Sequence, residues 1–338
     1  MVTGGDFCLR ISVVIPVHNG ARTLGECLEA VYRSCCSPHE VIVVDDCSTD
    51  DSVAVAERFP CRVLRLEENQ GAATAKNRGA AVAEGDVLFF TDADVLLEDN
   101  ALSLVAEGLA NSDVSGIVGL LSRQLAYDNF SSQYKNLWMH YTYYRLPTYV
   151  GVFYTSAAAI KREVFMQTGG FDENYRGASV TEDTEFGQRL LTAGYKIRVD
   201  KRLTVTHLKH YSLGDLVRTD FWRSNGLAKT VLRNKFAGSA QRCYTSVPWY
   251  CLLGLPLAYI AVLSGLVALA GKSLPLLAAA VVSYGIMVAL HAHFLDFLRK
   301  ARGLCFLGQS CGFLLIDMLV AGLGVMYAVA HFAIGKRY

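Results

Sequence analysis

The sequence predicts an α/β protein, with a mostly parallel sheet in its N-terminal part and an α-helical, membrane-crossing region after it. Three observations predict this. Short apolar runs alternate with helical segments from Ile11 onward, and several stop at polar or acidic residues, as strands do at the carboxyl edge of a parallel sheet. Hydrophobic residues make up 52% of the 338 and concentrate after Ser246. Three segments there, Val247 to Gly271, Leu274 to Leu295 and Leu304 to Ile334, reach the length of about 20 residues that a bilayer-spanning helix needs.

Taken in order, Ile11 to Val17 is the first strand, and His18-Asn19-Gly20 turns the chain into a helix that runs to about Ser34. Val41 to Val44 is continuously apolar, as a strand buried on both faces is, and stops at Asp45-Asp46. Ser48-Thr49-Asp50-Asp51 then offers capping residues for a helix through Arg58. A shorter strand, Arg62 to Leu66, leads through Asn69-Gln70-Gly71 into an alanine-rich helix that carries Lys76 and Arg78. Val87 to Thr91 is the fourth strand and ends in Asp92-Ala93-Asp94. Beyond it, the pattern predicts a helix over Asn100 to Ala110, a strand over Gly116 to Leu121 and an aromatic-rich helix within Asn129 to Tyr149. Small residues from Tyr154 to Ile160 would let a substrate approach the backbone, and Gly169-Gly170-Phe171-Asp172 forms a turn. Thr181-Glu182-Asp183 opens a helix that ends at Gly194, and Ile197 to Val205 is strand-like. The expected organisation is a sheet domain over 1–212, a basic amphipathic helix and linker over 213–245, and a membrane region over 246–338 with about three spans.

Asp92 and Asp94 lie two apart at a strand end and project to one side. Paired hard oxygens there suit Mg2+ or Mn2+ carrying a phosphorylated substrate. The same pair fits a strand leaving the core through polar turn residues, and Glu182 and Asp183 fit an ordinary helix start with acids in its first turn. Balanced charge, 32 basic against 31 acidic residues, points away from nucleic acid. Ten scattered cysteines without a C-x-x-C pair read as reduced, mostly buried thiols. Met1 to Arg10 lacks the apolar segment of a signal peptide, which predicts a cytoplasmic N-terminal part. The first turn contains only Gly20, against the G-x-G-x-x-G of a dinucleotide site, and no P-loop signature occurs.

Together, VVIPVHNG, VIVVDDCSTDDS, NQGAATAKNRG, FFTDAD, GGFDE and TEDTEFGQRL, in this order from Ser12 to about His210, resemble the family 2 glycosyltransferases. These are inverting enzymes of the GT-A fold that use nucleotide-activated sugars. The resemblance implies that Asp46 meets the nucleotide base, where a carboxylate can accept an imide N–H, with Asp45 as the alternative. It places Pro16 at the nucleotide pocket. Lys76 stands where relatives commonly carry Arg; lysine lacks the planar fork, and Arg78 is the residue that would compensate. Asp94 would bind Mg2+ or Mn2+ bridging the diphosphate, and Asp92 would hold ribose or sugar hydroxyls. Asp183 would be the general base and Glu182 would orient the acceptor or the helix. His207 matches a histidine that some relatives place near the metal, with His210 as the competing choice. The Q-x-x-R-W segment of many processive synthases is only distantly echoed by Thr219-Asp220-Phe221-Trp222-Arg223, which argues for adding one or a few sugars.

Asp215 to Asn234 has the composition of a basic amphipathic helix on an anionic leaflet, with Arg218, Arg223 and Trp222 as phosphate or acceptor contacts. Arg299, Lys300 and Arg302 between the second and third spans outweigh Lys272 between the first and second, which puts the catalytic domain in the cytoplasm. Asp317 and Gln309 within the third span should face other helices or a substrate groove. Gly312, Gly322 and Gly324 permit close helix packing, including in a homo-oligomer. The expected protein is an integral membrane enzyme, as in a bacterial inner membrane, moving a UDP-linked sugar to a lipid or lipid-linked acceptor of the cell envelope. The alternatives are a non-catalytic membrane scaffold with a nucleotide-sugar fold, and a nucleotidyltransferase, which lacks support because no Gly-rich basic loop follows the first strand.

Overall fold

A computed structural model describes residues 9–111, 113–175, 181–236 and 245–336, with the side chains of 234–236 excepted. The signal-peptide reading of Met1 to Arg10 and the linker of the expected 213–245 segment fall largely outside those residues. In chain order the elements are β1 (Ile11–Val17), α1 (Ala21–Tyr32), β2 (Glu40–Asp45), α2 (Ser52–Ala56), β3 (Arg62–Arg65), α3 (Ala72–Val82), β4 (Val87–Phe90), β5 (Val95–Leu97), α4 (Ala101–Leu109) and β6 (Gly116–Leu121). Then follow α5 (Phe130–Tyr144), β7 (Tyr149–Val150), β8 (Ala158–Lys161), α6 (Arg162–Gln167), α7 (Glu182–Thr192) and β9 (Ile197–His207). The last helices are α8 (Leu213–Phe236), α9 (Tyr250–Gly271), α10 (Leu274–Leu290) and α11 (Ala292–Ala333).

The chain forms two compact units, and the strands all belong to the first. Continuous apolar runs make strands that can be covered on both faces, and β1, β2 and β4 are almost wholly buried. The sheet runs β3-β2-β1-β4-β8-β6-β9-β5, with β7 added on β9. β3, β2, β1 and β4 are mutually parallel, as the alternation predicts, and β6 is parallel to β9. The sequence reading missed β5, β7 and β8, which pair antiparallel. β8 reads Ala-Ala-Ile-Lys, too short and too small-sided to announce a strand, yet it fills the centre of the sheet between β4 and β6.

Close packing sets the helices on this sheet. A Cβ at Gly79 of α3 would stand 2.4 Å from Val14 Cγ1, so only glycine lets α3 lie this close to β1. Pro16 is tolerated in a central strand because β4 leaves β1 at the Val14–Phe90 pair, two residues before the proline. β9 slips in register between its Val199 and Thr204 pairings with β6, and in the slip Arg202 joins Asp200 to Glu107.

The second unit is helical and comprises Tyr127–Thr142, His210–Ala240 and Thr245–Tyr338. Most of α5 therefore groups with the C-terminal helices, although the expected sheet domain included it. Its aromatic side chains build the unit's core: Tyr134 packs edge-on against Phe294 and Phe313, and Phe130 meets Phe306 and Phe313. The amphipathic pattern of α8 serves packing. A Cβ at Gly324 of α11 would meet the Phe221 carbonyl at 2.5 Å, so α8 is seated directly on α11.

α9 and α11 are long and apolar enough to cross a membrane. α10 has 17 residues, about 26 Å at 1.5 Å per residue, short of the ~30 Å hydrocarbon core. It ends at Leu290, before the expected Leu295, and Arg299, Lys300 and Arg302 lie on a helical segment of α11 that is broken at Gly303 (φ 85°). Gly322 and Gly324 both face their own chain, the former against the Tyr259 ring, whereas nothing lies within 4 Å of a Cβ at Gly312.

Candidate active site

The carboxyl ends of β1, β2 and β4 bring their turns together. Asn19 (φ 54°) ends the β1 turn, and its side-chain oxygen accepts from the Thr49 N–H at 2.8 Å while its own N–H reaches Ser48 Oγ at 2.9 Å. Asp50, expected to cap the helix that follows it, accepts from the Ser52 N–H that opens α2 at 3.0 Å, and its other carboxylate oxygen accepts from the Ala21 N–H that opens α1 at 3.0 Å. Gly20 adjoins the next turn: its Cβ would lie 3.5 Å from Ala93, the residue between Asp92 and Asp94. The segments that read as separate motifs are thus stitched into one edge.

Asp46 is buried and its two carboxylate oxygens accept from the Gln70 and Gly71 N–H groups at 2.7 and 2.8 Å. It fixes the loop that opens α3, where Gly71 takes φ 89°. Asp45 accepts from the Ser48 N–H. Pro16 is half-buried and pairs with Val44, next to Asp45.

One turn of α3 then ties three further segments. Lys76 is buried; its Nζ donates to Thr155 Oγ1 at 2.7 Å and pairs with Glu182 Oε1 at 3.0 Å. Burial alone would lower its pKa, but the charges of Glu182, Asp92 and Asp183 outweigh that and hold it above the usual lysine value. Lysine at this position therefore acts as the counter-ion of the acidic segment. Arg78 is exposed, two residues along the helix and so on another face, and does not stand in for it. Asn77, which the sequence reading did not single out, clamps the Gly-Gly-Phe-Asp-Glu turn. It accepts from the Phe171 N–H and donates to the Phe171 carbonyl and to Glu173.

Asp92 and Asp94 both follow the end of β4, in the turn before β5. Asp92 Oδ2 accepts from Ser156 Oγ at 2.5 Å, and Thr91 Oγ1 donates to the Ser156 carbonyl, so the small-residue stretch before β8 supports the acid. The Val95–His207 pair between β5 and β9 brings His207 alongside, with Nε2 3.4 Å from Asp94 Oδ1. One ligand atom from each of Asp92, Asp94 and His207 lies within 4.8 Å of the others, all three side chains being half-buried. Two carboxylate oxygens and an imidazole nitrogen are a donor set that fits Mn2+ or Mg2+, the imidazole favouring the softer ion. His210, the competing histidine, packs against Tyr127 instead.

Glu182 and Asp183 are the first two residues of α7 and both are buried. Thr181 makes no side-chain cap, so the acids are not accessories of a capping box. Asp183 Oδ1 accepts from the Thr184 N–H at 2.6 Å. Behind them Phe90, Phe153, Phe165, Phe171 and Phe186 pack at centroid distances from 4.8 to 6.3 Å and hold α7 against the sheet. Arg218, Trp222 and Arg223 belong to the helical unit: Arg218 is exposed, Trp222 packs on Tyr327, and Arg223 donates to the Met139 sulfur. No disulfide occurs among the described residues, and of the described cysteines Cys27 and Cys251 are fully buried, fewer than expected.

The Glycosyl transferase family 2 model matches residues 12–169. Glycosyltransferase GlyG of Streptococcus pneumoniae is 31% identical over 114 residues, 32% of this chain and 38% of that protein. The O-antigen chain rhamnosyltransferase WbaN of Salmonella anatum is 25% identical over 216 residues, 60% of this chain and 67% of that protein. The chain thus spans little more than a third of the length of GlyG. Among solved structures, the mannosyltransferase PcManGT from Pyrobaculum calidifontis, in complex with GDP-Man and Mn2+, superposes with a TM-score of 0.62 at 18% identity, over 95% of this chain and 88% of that one. The fold of the first unit is GT-A, and residues 12–169 belong to glycosyl transferase family 2.

Proposed function

We propose that this protein is a membrane-anchored inverting glycosyltransferase that moves a sugar from a UDP-linked donor to a lipid or lipid-linked acceptor at the cytoplasmic face. The observation that carries the reading is the Lys76 ammonium, bonded to Glu182 and within electrostatic reach of Asp92 and Asp183. It gathers the donor-side and acceptor-side acids around one buried cation. Asp46 and Pro16 form the nucleotide end, Asp92 holds donor hydroxyls, and Asp94 with His207 would hold the divalent ion. That ion, when bound, neutralises charge on the departing diphosphate.

Asp183 acts as general base. It takes the proton of the acceptor hydroxyl as that oxygen bonds to the anomeric carbon and the bond from that carbon to the diphosphate breaks on the opposite face. Glu182, locked by Lys76, fixes the first turn of α7 and with it the orientation of Asp183. The two apolar helices α9 and α11 support a membrane acceptor, and the O-antigen relative supports a cell-envelope glycan. The cluster Arg299, Lys300 and Arg302 supports the cytoplasmic orientation.

The test is a panel of UDP-, GDP- and dTDP-sugars offered to the purified full chain with Mn2+ and a lipid extract. A lipid-soluble labelled product from a UDP-sugar is expected, lost in Asp183→Asn with donor binding retained, and Asp94→Ala should weaken Mn2+-dependent donor binding. Absence of turnover with every donor, together with unchanged binding in Asp94→Ala, would defeat the proposal.

A further inference from the structure

The helical unit encloses a cavity of about 350 Å3 bounded by α5, α8, α9 and α11, within the size range of ligand pockets. Its walls are mostly apolar side chains such as Trp138, Leu227 and Leu255. A compact polar group interrupts them. Lys135 of α5 and Asp220 of α8 are bonded to each other, and the Tyr134 hydroxyl donates to Asp317 of α11 at 3.3 Å. Arg223 lies one helical turn beyond Asp220 and also lines the cavity.

Both acids in this group are engaged, Asp220 by an ammonium and Asp317 by a hydroxyl. Arg223 is different. Its guanidinium offers five N–H donors, and its hydrogen bond among the described residues goes to the Met139 sulfur, a weak acceptor. Lys135 and Arg223 match Asp220 and Asp317 in formal charge, but the guanidinium donors of Arg223 are left with only a weak acceptor, and an anion with several oxygens is what a planar fork binds bidentately. The lining residues Leu252 of α9 and Val329 of α11 are 67% and 51% exposed, and both helices are long and apolar enough to cross a membrane. In a bilayer these residues face hydrocarbon, so the cavity is open to lipid.

We propose that this cavity binds a membrane lipid with a phosphate headgroup, the phosphate on Arg223 and a hydrocarbon chain along the apolar wall. As the seat of a lipid acceptor it rests on the reading above. As a lipid site it stands on the helical unit alone, and its test needs no sugar donor. The full chain in detergent is titrated with dioleoyl phosphatidic acid, dioleoylglycerol and inorganic phosphate, and bound lipid is read by native mass spectrometry. Phosphatidic acid should bind, and Arg223→Met should weaken it by about tenfold or more, as expected when a charge-assisted bond is lost. Ala228→Phe, which narrows the cavity and alters no charge, should weaken binding similarly and decides the matter if Arg223→Met does not fold. Equal retention of dioleoylglycerol, full competition by inorganic phosphate, or wild-type binding in the soluble variants would each overturn the proposal.

Discussion

Removing the ammonium in Lys76→Met should be among the most destabilising single changes in the sheet unit. The Lys76 and Glu182 side chains are 2% and 4% exposed, so solvent does not screen their pair. Losing one partner of such a buried pair leaves an uncompensated charge and costs about 3–5 kcal/mol. At roughly 2–4 °C per kcal/mol for a unit of this size, the midpoint of thermal unfolding should fall by about 6–20 °C. The assay is thermal unfolding of the detergent-solubilised full chain, wild type beside Lys76→Met, Glu182→Leu and the double variant. The double variant should cost less than the sum of the single changes by about 1–3 kcal/mol, because it leaves no orphaned Glu182. A cost below about 1 kcal/mol for Lys76→Met, or strict additivity, would refute the view that this pair is closed and dry.

Three further outcomes follow from the geometry. Gly187→Ala would push a Cβ to within 2.7 Å of the Gly151 carbonyl and Val152 Cα, rigid backbone that cannot give way, so α7 should shift at a cost of about 1–3 kcal/mol, read by thermal unfolding. Asp200 is pushed up by burial but held below the usual carboxylate range by the Arg202 guanidinium; its contribution is whole above the unfolded value of about 3.9 and is lost as pH falls through the lower folded one. Asp200→Asn should therefore flatten the acid limb of a stability-versus-pH curve, and an unchanged limb would count against it. Burial, with Asp94 nearby, pushes the Cys27 thiol up, so at pH 8 iodoacetamide should modify exposed Cys35 and spare Cys27 in the folded protein, as peptide mapping would reveal.

Much of the sheet could be read from the chain because β2, β4 and β6 are continuous or nearly continuous apolar runs bounded by polar residues, and Gly116–Leu121 is delimited to the residue. β8 and β5 escaped because four and three residues carry no periodicity, and only their neighbours make them strands. The motifs predicted Asp94 and His207 at the metal and Asp92 at donor hydroxyls, and one ligand atom from each lies within 4.8 Å of the others. Their supports did not show: Ser156 and Asn77 act through hydrogen bonds to partners 64 and 94 residues away. The amphipathic character of α8 was visible, but its apolar face matches a leaflet and another helix equally well. Gly324, a hundred residues on, is what makes room for the helix.

α3 begins at a loop held by Asp46 and, five residues after Gly71, presents Lys76 to Glu182. That separation is about 7.5 Å along a helix axis, a rigid strut between the Asp46 loop and the Lys76–Glu182 pair. Any ligand that draws Asp46 away from the Gln70 and Gly71 amides loosens the near end of the strut, and the far end grips the acid beside Asp183. The loop held by Asp46 and the first turn of α7 are thus joined through a single short helix and one buried ion pair.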